Sequence, residues 1–170
     1  MAGDERVDVV DAQDRFVRVV TRAEMRAHGL WHRAVYLLVQ ATDGRVLVQQ
    51  RSFDKDFAPG WWDIGAGGVV AAGEGYHDAA RRELAEELGV TGVPLEPLGV
   101  TRFENDDLRL HGRVYRVVHD GPFHFDDGEV LQVAWVTVAE LRVLLTERRF
   151  VPDSPAIFLP HLEGQGTRSG

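Results

Sequence analysis

The 170-residue chain contains no cysteine, which excludes a disulfide framework, a thiolate zinc site and a cysteine nucleophile before any motif is read. Long apolar runs are also missing. No eighteen apolar residues follow one another, and Met1 to Asp11 carries charges without an apolar stretch, so neither a membrane span nor a secretory leader is expected and the expected location is the cytoplasm. Cationic excess is absent too. Nineteen Lys and Arg against 27 Asp and Glu leave a formal charge of -8, which disfavours broad nucleic-acid binding because neutralising a phosphate backbone needs a cationic surface. Lys55 is the only lysine, read as a bias of composition without mechanistic weight.

What is present suits one folded domain. The hydrophobic share of 44 % against 27 % charged residues separates the chain from disordered sequences. Its length fits one core with little room for a second. The expected domain covers residues 1–163, and the Gly, Ser, Thr and Arg of 164–170 form an expected disordered tail.

Periodicity gives the order of elements. Val7 to Val10 and Phe16 to Val20 alternate apolar and polar residues around a turn, a short hairpin. Residues 22–28 read as helical turns. Ala34 to Gln40 and Arg45 to Gln50 read as strands joined by Thr-Asp-Gly, a hairpin turn. After the loop from Ser52 to Gly60, Trp61 to Val70 reads as a strand interrupted by Gly65, Gly67 and Gly68, which mark bulges or places of close backbone approach. A helix is predicted from Gly75 to Leu88, with Tyr76, Ala80, Leu84 and Leu88 as its core stripe and Gly89 as C-cap. Strands near 95–103, 108–118 and 130–136 follow, then helices near 138–146 and 154–162.

Glu83, Glu86 and Glu87 stand at i, i+3 and i+4 on the predicted helix, so three carboxylates share one face beside the apolar stripe. A solvated acidic face is one reading. The other is a cation site, since like charges beside a core raise one another's pKa until a cation neutralises them. With no His or Cys among them, the carboxylates select hard Mg²⁺ or Mn²⁺.

The surrounding spacing resembles the box of the Nudix hydrolase superfamily, Gly-x5-Glu-x7-Arg-Glu-aliphatic-x-Glu-Glu-x-Gly-aliphatic. Gly68, Glu74, Arg82, Glu83, Leu84, Glu86, Glu87, Gly89 and Val90 fill every specified position. Seven of these positions demand one residue type, so at roughly 7 % usage each, agreement by chance is on the order of 10⁻⁸ per register. The resemblance implies an α/β sandwich, a mixed sheet between helices with a loop-helix-loop motif. It also implies a metal-dependent hydrolase that cleaves a diphosphate linkage of a small molecule by water attack at phosphorus. Glu83, Glu86 and Glu87 are the implied metal ligands, assisted by the Gly68 carbonyl, and Glu74 with Arg82 an implied structural ion pair. A further carboxylate outside the box serves as base or extra ligand; Glu129, six residues before Trp135, is the candidate, with Asp126 and Asp127 as rivals.

Val9-Val10-Asp11, Arg22, Leu30-Trp31-His32-Arg33, Gln50-Arg51-Ser52, Lys55 and Pro59-Gly60-Trp61-Trp62-Asp63 are similar to the isopentenyl diphosphate isomerase-like subgroup, which makes isomerisation of a prenyl diphosphate an alternative. True isomerases carry an essential cysteine and a metal-binding histidine just before the box, where this chain has Gly65-Ala66-Gly67-Gly68, so hydrolysis is the preferred expectation. A non-catalytic nucleotide sensor is the third reading; it lacks support because no helix-turn-helix segment is present. His32 is read as structural. Arg51 and Lys55 are expected either to clamp substrate phosphates or to be solvated loop charges. Phe53, Phe57, Trp61 and Trp62 offer faces for stacking on a nucleobase, but aromatics so close to a strand more often fill a core and are read as core. An apolar edge on the N-terminal hairpin offers a homodimer contact.

Overall fold

Strand β3 (His32–Gln40) is buried along both faces, and its near-continuous apolar run follows from that position. Successive side chains point to opposite faces, so Val35, Leu37 and Val39 enter one core and Ala34, Tyr36 and Leu38 the other. The computed structural model describes residues 2–125 and 128–163. Around β3 it builds a mixed sheet from β4 (Val46–Arg51), β5 (Trp62–Ile64), β6 (Ala66–Val69), β7 (Glu96–Glu104), β8 (Arg109–Val118) and β9 (Val130–Val136). A separate antiparallel hairpin, β1 (Arg6–Val10) and β2 (Phe16–Thr21), leads into helix α1 (Arg22–His28). The pairing β3–β8 is parallel and the remaining pairings are antiparallel.

The predicted hairpin of β3 and β4 holds only at its root. The strands pair at Gln40 and Val46, then diverge. β6 pairs with β3, while β5 and β9 take the two sides of β4. The segment expected as one interrupted strand is thus two strands on different partners, broken at Gly65.

Helix α2 (Tyr76–Leu88) covers one face of this forked sheet. Ala79, Ala80, Leu84 and Leu88 pack on Val35, Leu37, Val39 and Leu47. On the opposite face lie α3 (Val138–Glu147), α4 (Asp153–Phe158) and a 3-10 turn over Leu159–His161, through Leu141, Ile157, Phe158 and Leu162. The last predicted helix is therefore shorter than expected, because Pro160 removes a backbone donor one turn on and the chain tightens. The layers are those of the expected sandwich. Asp126, Asp127 and the tail 164–170 lie outside the described residues.

His32 is buried and its Nδ1 lies 3.0 Å from the Leu30 carbonyl, at the entrance of β3. Of the four aromatic residues read as core, Phe57 and Trp62 pack against it. Phe53 does not: it is 70 % exposed. Trp61 lies under the Arg149 guanidinium, 3.9 Å from its ring centre. Phe16, Val17 and Val19 on β2 are exposed apolar residues.

Candidate active site

Helix α2 is fixed to the sheet by an ion pair as well as by its apolar stripe. Arg82 donates from Nε to Glu74 Oε2 at 2.8 Å and from Nη2 to Glu74 Oε1 at 2.9 Å, a two-pronged geometry that the planar guanidinium favours. The same Nη2 reaches the Val69 carbonyl at 3.2 Å, and the Ala71 amide donates to Glu74 Oε1 at 3.1 Å. Loop, helix and β6 are thereby tied at one point. At the far end Gly89 takes the left-handed conformation, φ 66°, and its amide closes the last turn on the Leu84 and Ala85 carbonyls.

So anchored, α2 turns Glu83 and Glu87 inward and Glu86 outward. Glu83 and Glu87 are 6 % and 3 % exposed, whereas the Glu86 side chain is 49 % exposed and accepts from Arg82 Nη1 at 3.1 Å. Residues three and four apart share a helix face, and here the Glu86 position falls at the exposed edge of that face. Glu129, just before β9, completes the inward group: one carboxylate oxygen from each of Glu83, Glu87 and Glu129 lies within 4.8 Å of the others. The structure thus gathers Glu83, Glu87 and Glu129 and leaves Glu86 at the rim.

Neighbouring groups hold these carboxylates in place. Gln49, one turn of the pleat beyond Leu47 on β4 and so on the same face, donates to Glu87 Oε2 at 3.1 Å and to the Gly65 carbonyl at 2.7 Å. The Gly67 amide donates to Glu87 Oε2 at 3.3 Å. Arg82 Nη1 donates to Glu83 Oε1 at 2.9 Å. Lys55 Nζ donates to Glu129 Oε2 at 3.1 Å, and the Ser52 amide holds the Glu129 carbonyl at 2.9 Å. Gly68 is a close-approach residue: a Cβ there would overlap the Glu83 carboxyl group.

Burial and the charge of Glu87 push Glu83 up to about 8, against the pull of Arg82. Burial also raises Glu87, against Lys55, Gln49 and Arg51. Two buried carboxylates one helical turn apart are therefore poorly neutralised by the protein alone. An oxygen-only cluster with one half-buried member fits a hard divalent cation such as Mg²⁺ or Mn²⁺.

The cluster lines a cleft of about 760 Å³, counting its open mouth, with walls from both branches of the fork. Arg51 and Lys55 line it as well. Arg51 donates to the Phe57 carbonyl from Nε at 3.3 Å and from Nη2 at 2.9 Å, and its Nη1 stands 3.8 Å from Asp63. The sequence reading missed the inner polar residues, Tyr36, Asp63 and Asp153, and the supporting Gln49. A polar residue within an apolar strand, Gln49 after Val46-Leu47-Val48, is a signal that could have found one of them.

Residues 30–157 match the NUDIX domain family model. The chain belongs to the Nudix family. It is 42 % identical to the Nudix hydrolase YfcD of Escherichia coli K12 over 154 residues, 91 % of this chain and 84 % of that one. A Nudix hydrolase of Yersinia pestis is 43 % identical over 150 residues, covering 88 % and 81 % of the two chains. The crystal structure of DR0079 from Deinococcus radiodurans superposes with a TM-score of 0.76 at 26 % identity, over 96 % of this chain and all of that one. The protein is a Nudix hydrolase, and hydrolases of this family act on nucleoside diphosphate derivatives and generally use divalent metals. No helix among the described residues is long and apolar enough to cross a membrane.

Proposed function

We propose that this Nudix hydrolase cleaves a diphosphate linkage of a nucleoside diphosphate derivative or related small molecule, with Mg²⁺ or Mn²⁺ held by Glu83, Glu87 and Glu129 and the Gly68 carbonyl. The convergence of the three carboxylate oxygens within 4.8 Å of one another carries the reading. When bound, the cation polarises the phosphoryl oxygens, lowers the pKa of water and shields the anionic substrate from the acidic helix.

The chain's own residues divide the remaining work. Glu83 and Glu87, buried and held by Arg82, Gln49 and the Gly67 amide, act as fixed ligands whose geometry is set before substrate arrives. Glu129 has a side chain 38 % exposed at the cleft mouth and paired with Lys55. It is the candidate to accept the proton of the attacking water as the water oxygen bonds to phosphorus and the anhydride bond breaks. Glu86 at the rim serves as an outer ligand on an approaching cation. Arg51 and Lys55, which line the cleft, act on the substrate phosphates as cations. The products are a phosphate or phosphomonoester and its partner. The acidic net charge agrees with a small-molecule substrate bound locally rather than with a nucleic acid.

The test is phosphate release from a panel of nucleoside di- and triphosphates, nucleotide sugars, dinucleoside polyphosphates, coenzyme A and prenyl diphosphates, with Mg²⁺, Mn²⁺ or chelator. Release that requires the metal supports the proposal. Metal-independent release, or conversion of isopentenyl diphosphate to its isomer without release, contradicts it.

A further inference from the structure

The hairpin of β1 and β2 and helix α1 precede residues 30–157, the part of the chain that matches the family model, yet they grip the cleft from two sides. On the side of α2, Val7 of β1 pairs with Ala71 in an isolated antiparallel bridge. The Ala72 amide donates to the Arg6 carbonyl at 2.8 Å, and the Gly73 amide to Asp8 Oδ2 at 3.2 Å. The loop that leads into α2 is thereby fixed through its backbone. On the other side, α1 holds the loop after β4 through charge. Arg22 Nε donates to Asp56 Oδ2 at 3.1 Å and Nη2 to Asp56 Oδ1 at 3.4 Å, the two-pronged pairing of guanidinium and carboxylate. Arg26 Nε stands 3.7 Å from the same Oδ2, and its guanidinium lies 4.9 Å from the centre of the Phe57 ring. The Arg22 side chain is 13 % exposed and that of Asp56 30 %, so salt and water screen this pair less than one on the open surface.

Asp56 does not line the cleft, whereas its neighbour Lys55 does and reaches Glu129 Oε2 at 3.1 Å. Within its own loop Lys55 is loosely tied: its amide meets the Ser52 carbonyl at 3.4 Å. A lysine on a loose backbone has much freedom to lose on binding, and fixing that backbone beforehand lowers the loss. We propose that Asp56 is a positioning residue which, held by Arg22 and Arg26, sets the backbone at Lys55, so that the N-terminal unit governs how tightly the cleft takes the substrate phosphates. The inference rests on the hydrolase reading and gives a role in binding to a residue outside the cleft lining. Its effect falls on KM rather than kcat, because the carboxylates are fixed separately. Arg82 holds Glu83, Gln49 and the Gly67 amide hold Glu87, and the Ser52 amide holds the Glu129 carbonyl.

The experiment is a double-mutant cycle on the full chain. KM and kcat are measured, for the substrate from which the wild type releases phosphate fastest, on Asp56→Asn, Lys55→Met and the two combined, with Asp56→Glu and Arg22→Gln alongside. Asp56→Asn is expected to raise KM about tenfold, the scale of one weakened hydrogen bond to a charged group, and to leave kcat within about threefold of the wild type. In the Lys55→Met background the same substitution should move KM by less than about twofold, since a residue that acts through Lys55 then has nothing to position. Asp56→Glu keeps the carboxylate and should restore most of the lost binding, and Arg22→Gln should repeat Asp56→Asn. A KM that Asp56→Asn does not move, a shift that persists in full without Lys55, a fall in kcat as large as the rise in KM, or no rescue by Asp56→Glu overturns the inference and leaves hydrolysis standing. No phosphate release by the wild type from any substrate of the panel overturns the hydrolase reading and this inference with it. If Asp56→Asn does not fold, Arg22→Gln takes its place in the cycle with the same expectations; if neither folds, the pair serves the fold and the inference fails.

Discussion

Replacing Gly68 by alanine adds one methyl group where the Glu83 carboxyl group already lies. The carboxylate or the strand must shift, and geometry within the triad is what the proposed chemistry depends on, a displacement of about 1 Å costing on the order of 10²-fold in rate. Gly68→Ala is therefore expected to lower kcat by about that factor, with circular dichroism still showing a folded chain. His32 makes a prediction about stability instead. Burial, and then the Arg26 and Arg22 charges, hold it down at about 4 against the opposing Leu30 carbonyl. Between about pH 6.5 and pH 4 the unfolded chain takes up a proton that the folded chain refuses, so stability rises with pH across that window. The contribution is full above the unfolded value and lost as pH falls, about 3 kcal/mol over the window. Urea melts at pH 7 and pH 5 should show that His32→Gln flattens this dependence; an unchanged slope would place the titrating group elsewhere.

At the scale of elements, α2 depends on its two ends. Glu74→Ala removes both acceptors of the Arg82 fork and leaves a partly buried guanidinium, at an expected cost of about 2 kcal/mol. Gly89→Ala forces a side chain into φ 66° and brings its Cβ to 2.8 Å from that of His124, costing about 1–2 kcal/mol. Chemical denaturation measures both, and since the sites stand at opposite ends of the helix the double variant should lose nearly the sum. Much of this helix was legible beforehand. The apolar stripe, Gly89 and the Glu74–Arg82 spacing are local patterns, and local patterns survive in sequence. Which glutamates face inward was not, because i, i+3 and i+4 share a face to a first reading. Only their burial in the folded chain separates Glu83 and Glu87 from Glu86. The forking of β3 from β4 was hidden for a related reason: Thr-Asp-Gly specifies the turn, but the partner further along each strand is chosen by β6 and β9, distant in sequence.

For the whole molecule, the buried acidic cluster links folding to cation binding. A ligand that binds only the folded state raises its stability by RT ln(1 + [L]/Kd), about 2.7 kcal/mol at a hundredfold excess over Kd. Thermal melts should therefore rise with Mg²⁺ or Mn²⁺ and fall back with chelator, and the rise should vanish in Glu83→Gln. A melt indifferent to the metals would mean that the carboxylates are satisfied by the protein. Glu129 entered the sequence reading only through the family resemblance, beside Asp126 and Asp127, which lie outside the described residues; its place beside Glu83 and Glu87 depends on the fold that brings the start of β9 to the cleft. The link between Tyr36 and Asp153, 117 residues apart in sequence, was not legible; it exists only once β3 and α4 are stacked.

The most direct test of the account is turnover of the best diphosphate substrate in Mg²⁺ by the wild type and by Glu87→Gln, each shown to be folded. Metal catalysis contributes several kcal/mol to such reactions, so kcat should fall by at least about 10³-fold in the variant. A Glu87→Gln protein within tenfold of the wild type would contradict the assignment of the buried carboxylates as the catalytic centre.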